Sequence, residues 1–180
     1  MWGRCGHRQL VRPTAVTPGE KSSRSATVQP PVSRLLIIGY GNPLRGDDAV
    51  GYLAAELLGH LIADPNIEIL PVHQLTPELA DPISRAARVI LIDAAATGEP
   101  GVILQRAILP APDPAGFTHH STPAGLLAAS AAFFGSAPPA TLYSVPGESF
   151  EFGSELTPPV QQALETLIAD LAAICETEHS

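Results

Sequence analysis

The sequence predicts an α/β domain of three layers, a mostly parallel five-stranded sheet with helices on both faces. Three observations predict it. Short aliphatic runs recur between residues 35 and 145, unbroken by polar alternation, as in strands covered on both sides. Helical periods separate these runs, which is the alternation of a layered α/β sheet. Finally, 180 residues with 45% apolar and 16% charged side chains and a mean hydropathy of +0.17 suffice for one well-filled core, not comfortably for two.

Taken in order, Leu35-Leu36-Ile37-Ile38 is the first strand and residues 49–63 the helix that follows. Residues 67–72 make a second strand, followed by a short helix with Thr76 as its cap and Pro77 at its first position. Val89-Ile90-Leu91-Ile92 is a third buried run that ends at Asp93, and after a turn at 98–101 comes a fourth strand, 102–108. A Pro-rich loop, 109–118, leads to a helix opened by Thr122-Pro123 and running to about Phe134. Residues 141–145 form the fifth strand. Thr157-Pro158 opens the last helix, which sets Leu164, Leu167, Ile168, Leu171 and Ile174 on one face. In such a sheet the site lies beyond the carboxyl ends of the strands, near the switch in strand order.

Composition removes several classes of function. Residues 1–31 show almost no apolar periodicity and end in Gln29-Pro30-Pro31, so they read as a flexible extension to a domain spanning 32–176. They lack the apolar stretch of a secretory signal, and their Arg- and Ser-rich composition reads as an upstream start in preference to an organellar leader. Residues 1–30 hold five Lys/Arg and one acid, which leaves five basic against seventeen acidic side chains in the rest. A field of that sign repels phosphate backbones: no nucleic acid is expected as partner, and a basic protein patch suits it better. The longest weakly polar stretch, 123–135, is far short of the ~20 residues that cross a bilayer, so no membrane role is expected. Cys5 and Cys175 lie at opposite ends of the chain without a C-x-x-C, which suits a reducing cytoplasm. Nothing in the sequence demands more than a monomer.

The first strand runs into Gly39-Tyr40-Gly41-Asn42-Pro43-Leu44-Arg45-Gly46-Asp47-Asp48. This is no nucleotide loop: Leu44 stands where a dinucleotide fingerprint needs its third glycine, and no Gly-Lys-Ser/Thr follows. Asp47 and Asp48 would also repel a phosphate at the helix N-terminus. One acid suffices as a cap, so Asp47 takes that role and Asp48 is left to face the crevice. Asp93 ends its strand at the same edge of the sheet, and His119-His120 precedes the cap Thr122. Read blandly, Asp93 serves its own loop and the histidines lie on the surface. Two carboxylates and an imidazole meeting in one crevice would instead make an N/O site for a divalent metal such as nickel or zinc.

These residues carry a resemblance. The segment 36–51 resembles the opening signature of the hydrogenase maturation proteases, endopeptidases that trim the C-terminus of the nickel-iron hydrogenase large subunit. The similarity continues in Gln74-Leu75-Thr76-Pro77-Glu78-Leu79, in 89–94 with Pro100-Gly101 after it, in 118–123, and in 146–160, and covers roughly 34–174. The first motif is specific because two glycines, Asn42 and the acidic pair stand in fixed register. Ala49 replaces the glycine that usually follows the acids.

The resemblance implies three metal-contacting positions, Asp48, Asp93 and a histidine of the 119–120 pair. His119 is preferred on its offset to Pro123 and Leu126-Leu127. It implies cleavage only after nickel has entered the immature large subunit, with zinc or cadmium able to stand in for nickel at the ligands. Two mechanisms fit: nickel as electrophile, or Asp48 and Asp93 as an aspartic-type pair sharing one proton. Two other classes compete. One is a non-catalytic nickel-binding checkpoint or chaperone with the same ligands. The other is a small-molecule hydrolase, against which stands the lack of basic anchors near the first loop apart from Arg45.

Overall fold

A computed structural model describes residues 33–112 and 121–178. The predicted architecture is the observed one. Five strands, β1 (Ser33–Tyr40), β2 (Ile67–Val72), β3 (Ala86–Ala95), β4 (Leu104–Ile108) and β5 (Ala140–Pro146), form one sheet in the order β2-β1-β3-β5-β4. All neighbours pair in parallel except β4, which runs antiparallel to β5 at the edge. The chain leaves β1 toward β2 and returns on the other side as β3, so the strand order switches between β1 and β3.

The continuous aliphatic runs are explained by burial on both faces: Leu35, Leu36, Ile37 and Ile38 are all fully buried, as are Val89, Ile90, Leu91 and Ile92. Alternate residues serve opposite cores. Leu35, Ile37, Ile90 and Ile92 pack with α1 (Val50–Leu61) and α4 (Pro158–Glu178), while Leu36, Ile38, Val89 and Leu91 pack with α2 (Ala80–Ser84) and α3 (Pro123–Phe134). On α4, Leu164, Leu167 and Leu171 are buried, with Ile168 and Ile174 partly so. Among the described residues no helix is long and apolar enough to cross a membrane.

Local differences have local causes. The helix expected over 49–63 begins as a 3-10 turn, Gly46–Ala49, because the Asp48 amide bonds back to Arg45 and the Asp47 amide is drawn to Ser149. The fourth strand begins at Leu104, since Val102 is still held in a turn by its bond to Glu99. Of the three Thr-Pro starts, only Thr122 behaves as the expected cap, accepting from the Gly125 amide at 3.0 Å. Thr76 has the extended backbone of a cap but makes no capping side-chain bond, and Thr157 turns its hydroxyl to another partner, Asp47. The expected extension, 1–31, lies outside the described residues.

Candidate active site

The loop from β1 to α1 is shaped by backbone that passes closer than a side chain allows. Gly41 has φ +144°, and a Cβ there would lie 1.8 Å from the carbonyl oxygen of Asp48. Gly39 and Gly51 meet in the same way, a Cβ on Gly39 falling 1.9 Å from the Gly51 oxygen, so the start of α1 rests directly on β1. Asn42 sets the turn between them. Its side-chain oxygen accepts from the Leu44 amide at 3.0 Å and its carbonyl from Arg45 at 3.0 Å. The Asn42 amide in turn donates to Oδ2 of Asp48 at 2.9 Å. Oδ1 of Asp48 receives no hydrogen bond from the described residues.

Asp47 does not cap its own helix, which corrects the role expected for it. Fully buried, it accepts from the amides of Glu148, Ser149 and Thr157 at 2.8, 3.0 and 2.7 Å and from the Thr157 hydroxyl at 2.9 Å. Burial alone would raise its pKa, but the bonds from Thr157, Ser149 and Glu148 outweigh that and hold the carboxyl below the usual range. The physical reason for the misreading is distance in sequence. A helix start two residues away was visible, whereas donors about a hundred positions downstream were not.

Asp93 emerges from the end of β3 beside Tyr40 at the end of β1. With Gly39 opposite Ile92, the next pair puts both side chains on the same face, and the Tyr40 hydroxyl donates to Oδ2 of Asp93 at 2.8 Å. Burial pushes Asp93 up to about 6, against the stabilising hydrogen bonds from Tyr40 and the Ala94 amide, and the negative charge of Asp48 adds to the rise. Tyr40 is raised too, by burial first and then by the Asp93 charge, so it remains a donor.

Tyr40, Asp48 and Asp93 line one crevice of about 220 Å³ with Gly41, His73, Gln74, Leu75 and Ser121. It opens at the carboxyl ends of β1 and β3, at the switch in strand order, where a ligand site is expected. Two of the three residues singled out from the sequence are thus brought together. The third, His119, lies outside the described residues, as does His120; Ser121, next in the chain, lines the crevice and donates its amide to the Leu75 carbonyl. Among the described residues no three His, Cys, Asp or Glu side chains form a ready metal cluster. Neither Tyr40, named only within the glycine loop, nor His73 is singled out from the sequence. Tyr40 was recoverable, being the last residue of a buried strand, but His73 is an exposed residue just past β2 and carries no such mark.

No family model matches the chain, and no curated protein does. Solved structures do. Over 80% of this chain and 93% of the other, it is similar to the hydrogenase maturating endopeptidase HybD from E. coli, with 30% identity and a TM-score of 0.63. The chain belongs to the hydrogenase maturation protease family. Over the same shares, the NiFe hydrogenase maturation protease HycI from Thermococcus kodakarensis KOD1 gives 26% identity and a TM-score of 0.67. The solution structure of an endopeptidase from Escherichia coli gives 29% and 0.62. The crevice of this maturation protease offers two carboxylates, a phenol and an imidazole.

Proposed function

We propose that this maturation protease removes the C-terminal extension of a nickel-iron hydrogenase large subunit once nickel is in place, acting as a monomer. Asp48, Asp93 and His119 meet the nickel that the substrate brings. Carboxylate oxygens and an imidazole are donors that nickel accepts, and zinc or cadmium can take its place. The observation that carries the reading is that Asp48 and Asp93 open on one crevice in a chain of this family. Within it, the Asn42 amide orients Asp48 and the Tyr40 hydroxyl orients Asp93. Both carboxylates are thereby held before substrate arrives, so little ordering remains at the reaction.

A second mechanism on the same residues is favoured by the opening of both carboxylates on one crevice, where burial, with the Asp48 charge adding to it, raises Asp93 to about 6. A pair in which one carboxyl holds a proton and the other does not can activate water and protonate the leaving amine, as in aspartic proteases. The test of the function is incubation with a nickel-loaded, unprocessed large subunit, read by mass spectrometry. A C-terminal mass loss that Asp48→Asn abolishes is expected, and an uncut substrate that still binds would point to a checkpoint protein. Cleavage of metal-free precursor at the normal rate would favour the aspartic scheme over metal recognition.

A further inference from the structure

The segment after β5, residues 147–157, lies over the carboxyl edge of the sheet and is tied at several points to the loop that carries Asp48. Gly153 donates to the Leu44 carbonyl at 2.9 Å, Gly46 to Gly153 at 2.8 Å, and Asp47 to Ser149 at 2.9 Å. Arg45 adds its Nε to the Phe150 carbonyl at 3.2 Å. Yet this fastened backbone displays its apolar side chains to solvent: Phe152 is 86% exposed, and Leu44, whose carbonyl accepts from the residue after Phe152, is 53% exposed. Burying these groups elsewhere in the domain would have been favourable, and the many bonds to the backbone mean that they are not exposed by fraying. Glu148, Glu151 and Glu155 stand exposed along the same segment.

From this we infer that Leu44 and Phe152 form a rigid docking knob that seats in an apolar socket, ringed by basic side chains, on the folded body of the substrate protein. The inference rests on the proposed function and supplies what the crevice lacks. A crevice of about 220 Å³ can hold only a few residues of chain, so selection of one folded protein needs contact outside it. An aromatic anchor on a backbone already held in place loses little entropy on binding, and such anchors carry much of the affinity of protein interfaces. The three glutamates set the charge of the partner's rim and make association dependent on salt. Phe134, also half exposed, closes α3 at the end away from Thr122 and the crevice, and provides a control.

The experiment measures binding of the full chain to nickel-loaded, unprocessed large subunit by interferometry, together with the KM and kcat of processing. Phe152→Ser and the pair Leu44→Ser/Phe152→Ser should weaken binding and raise KM by about tenfold or more, the loss of an anchor. Glu148→Gln/Glu151→Gln/Glu155→Gln should flatten the salt dependence of the association rate, and Phe134→Ser should bind as the parent does. Circular dichroism checks that each variant is folded. Binding and KM of the double variant within twofold of the parent would overturn the inference. Parental binding without any cleavage, lost in Phe152→Ser, would retain the docking knob and sink the endopeptidase reading; absence of parental binding would sink both.

Discussion

Thr157 gives Asp47 both its backbone N–H and its hydroxyl, at 2.7 and 2.9 Å, across 110 positions of sequence. The loop bearing Asp48 is therefore fastened from the start of the last helix. Asp47→Asn puts an amide N–H₂ among four donors, and should destabilise the domain by about 2–4 kcal/mol in urea unfolding at neutral pH. The sign of the pH dependence follows from the lowered pKa: the stabilisation is present above the ordinary carboxylate range and is lost as pH falls through the depressed folded value. The penalty of the substitution should accordingly shrink only in strong acid.

Asp48→Asn should do the opposite. One amide bond from Asn42 can persist to the side-chain oxygen, so stability should change by less than ~0.5 kcal/mol. Processing of a nickel-loaded substrate should nevertheless stop. If Asp47→Asn proved neutral in unfolding and Asp48→Asn still trimmed normally, the division of labour between the adjacent acids would be wrong.

Asp93 is raised to about 6, so the folded protein binds a proton more tightly than the unfolded chain and loses stability as pH climbs from about 4 to 6. Asp93→Asn removes that cost. After discounting for partial exposure, the variant should be about 1–2 kcal/mol more stable than the parent at pH 7.5 and level with it below pH 4. Thermal melts across that range decide it, and an inactive variant with no gain at pH 7.5 would refute the burial account of Asp93.

Tyr40→Phe keeps the ring and removes the 2.8 Å bond to Asp93. Because that bond favours the carboxylate, Asp93 should titrate at higher pH in the variant, visible by carbon NMR of the labelled carboxyl. The acid limb of the processing rate should move upward with it. An unmoved titration would mean that the hydroxyl does not bear on the charge of Asp93.

Gly41→Ala tests the loop itself. With φ +144° and an oxygen 1.8 Å from the new carbon, the loop must rearrange, and a loss of about 3 kcal/mol or more is expected together with the loss of processing. Unchanged unfolding would show that the backbone of Asp48 need not come so near.

Strand positions and the parallel order were legible because burial on both faces leaves an unbroken aliphatic run, as at 35–38 and 89–92. Asp93 was legible for the same reason, being the first acid after such a run. What could not be read was any relation made by the fold alone. Asp47 looked like a cap because only its sequence neighbours were in view, and its true donors come from 148–157. Tyr40 pairs with Asp93 through strand register, and His73 reaches the crevice from just past the neighbouring strand β2. Asp48 was assigned to the crevice on the argument that one acid suffices as a cap; it does line the crevice, although Asp47 is no cap.

Gly39 and Gly51 bring β1 and α1 together without an intervening side chain. A methyl group on Gly39 would meet the Gly51 oxygen and one on Gly51 the Ile92 and Tyr40 oxygens, so the two glycines together let the helix after Asp48 rest directly on the strand before it. Leu44 and Arg45, five and six positions after Gly39, are exposed on the loop between the two glycines. The exposed Leu44 side chain can therefore be exchanged without moving the backbone that carries Asp48, so the outer surface of the loop and the crevice behind it can be altered separately.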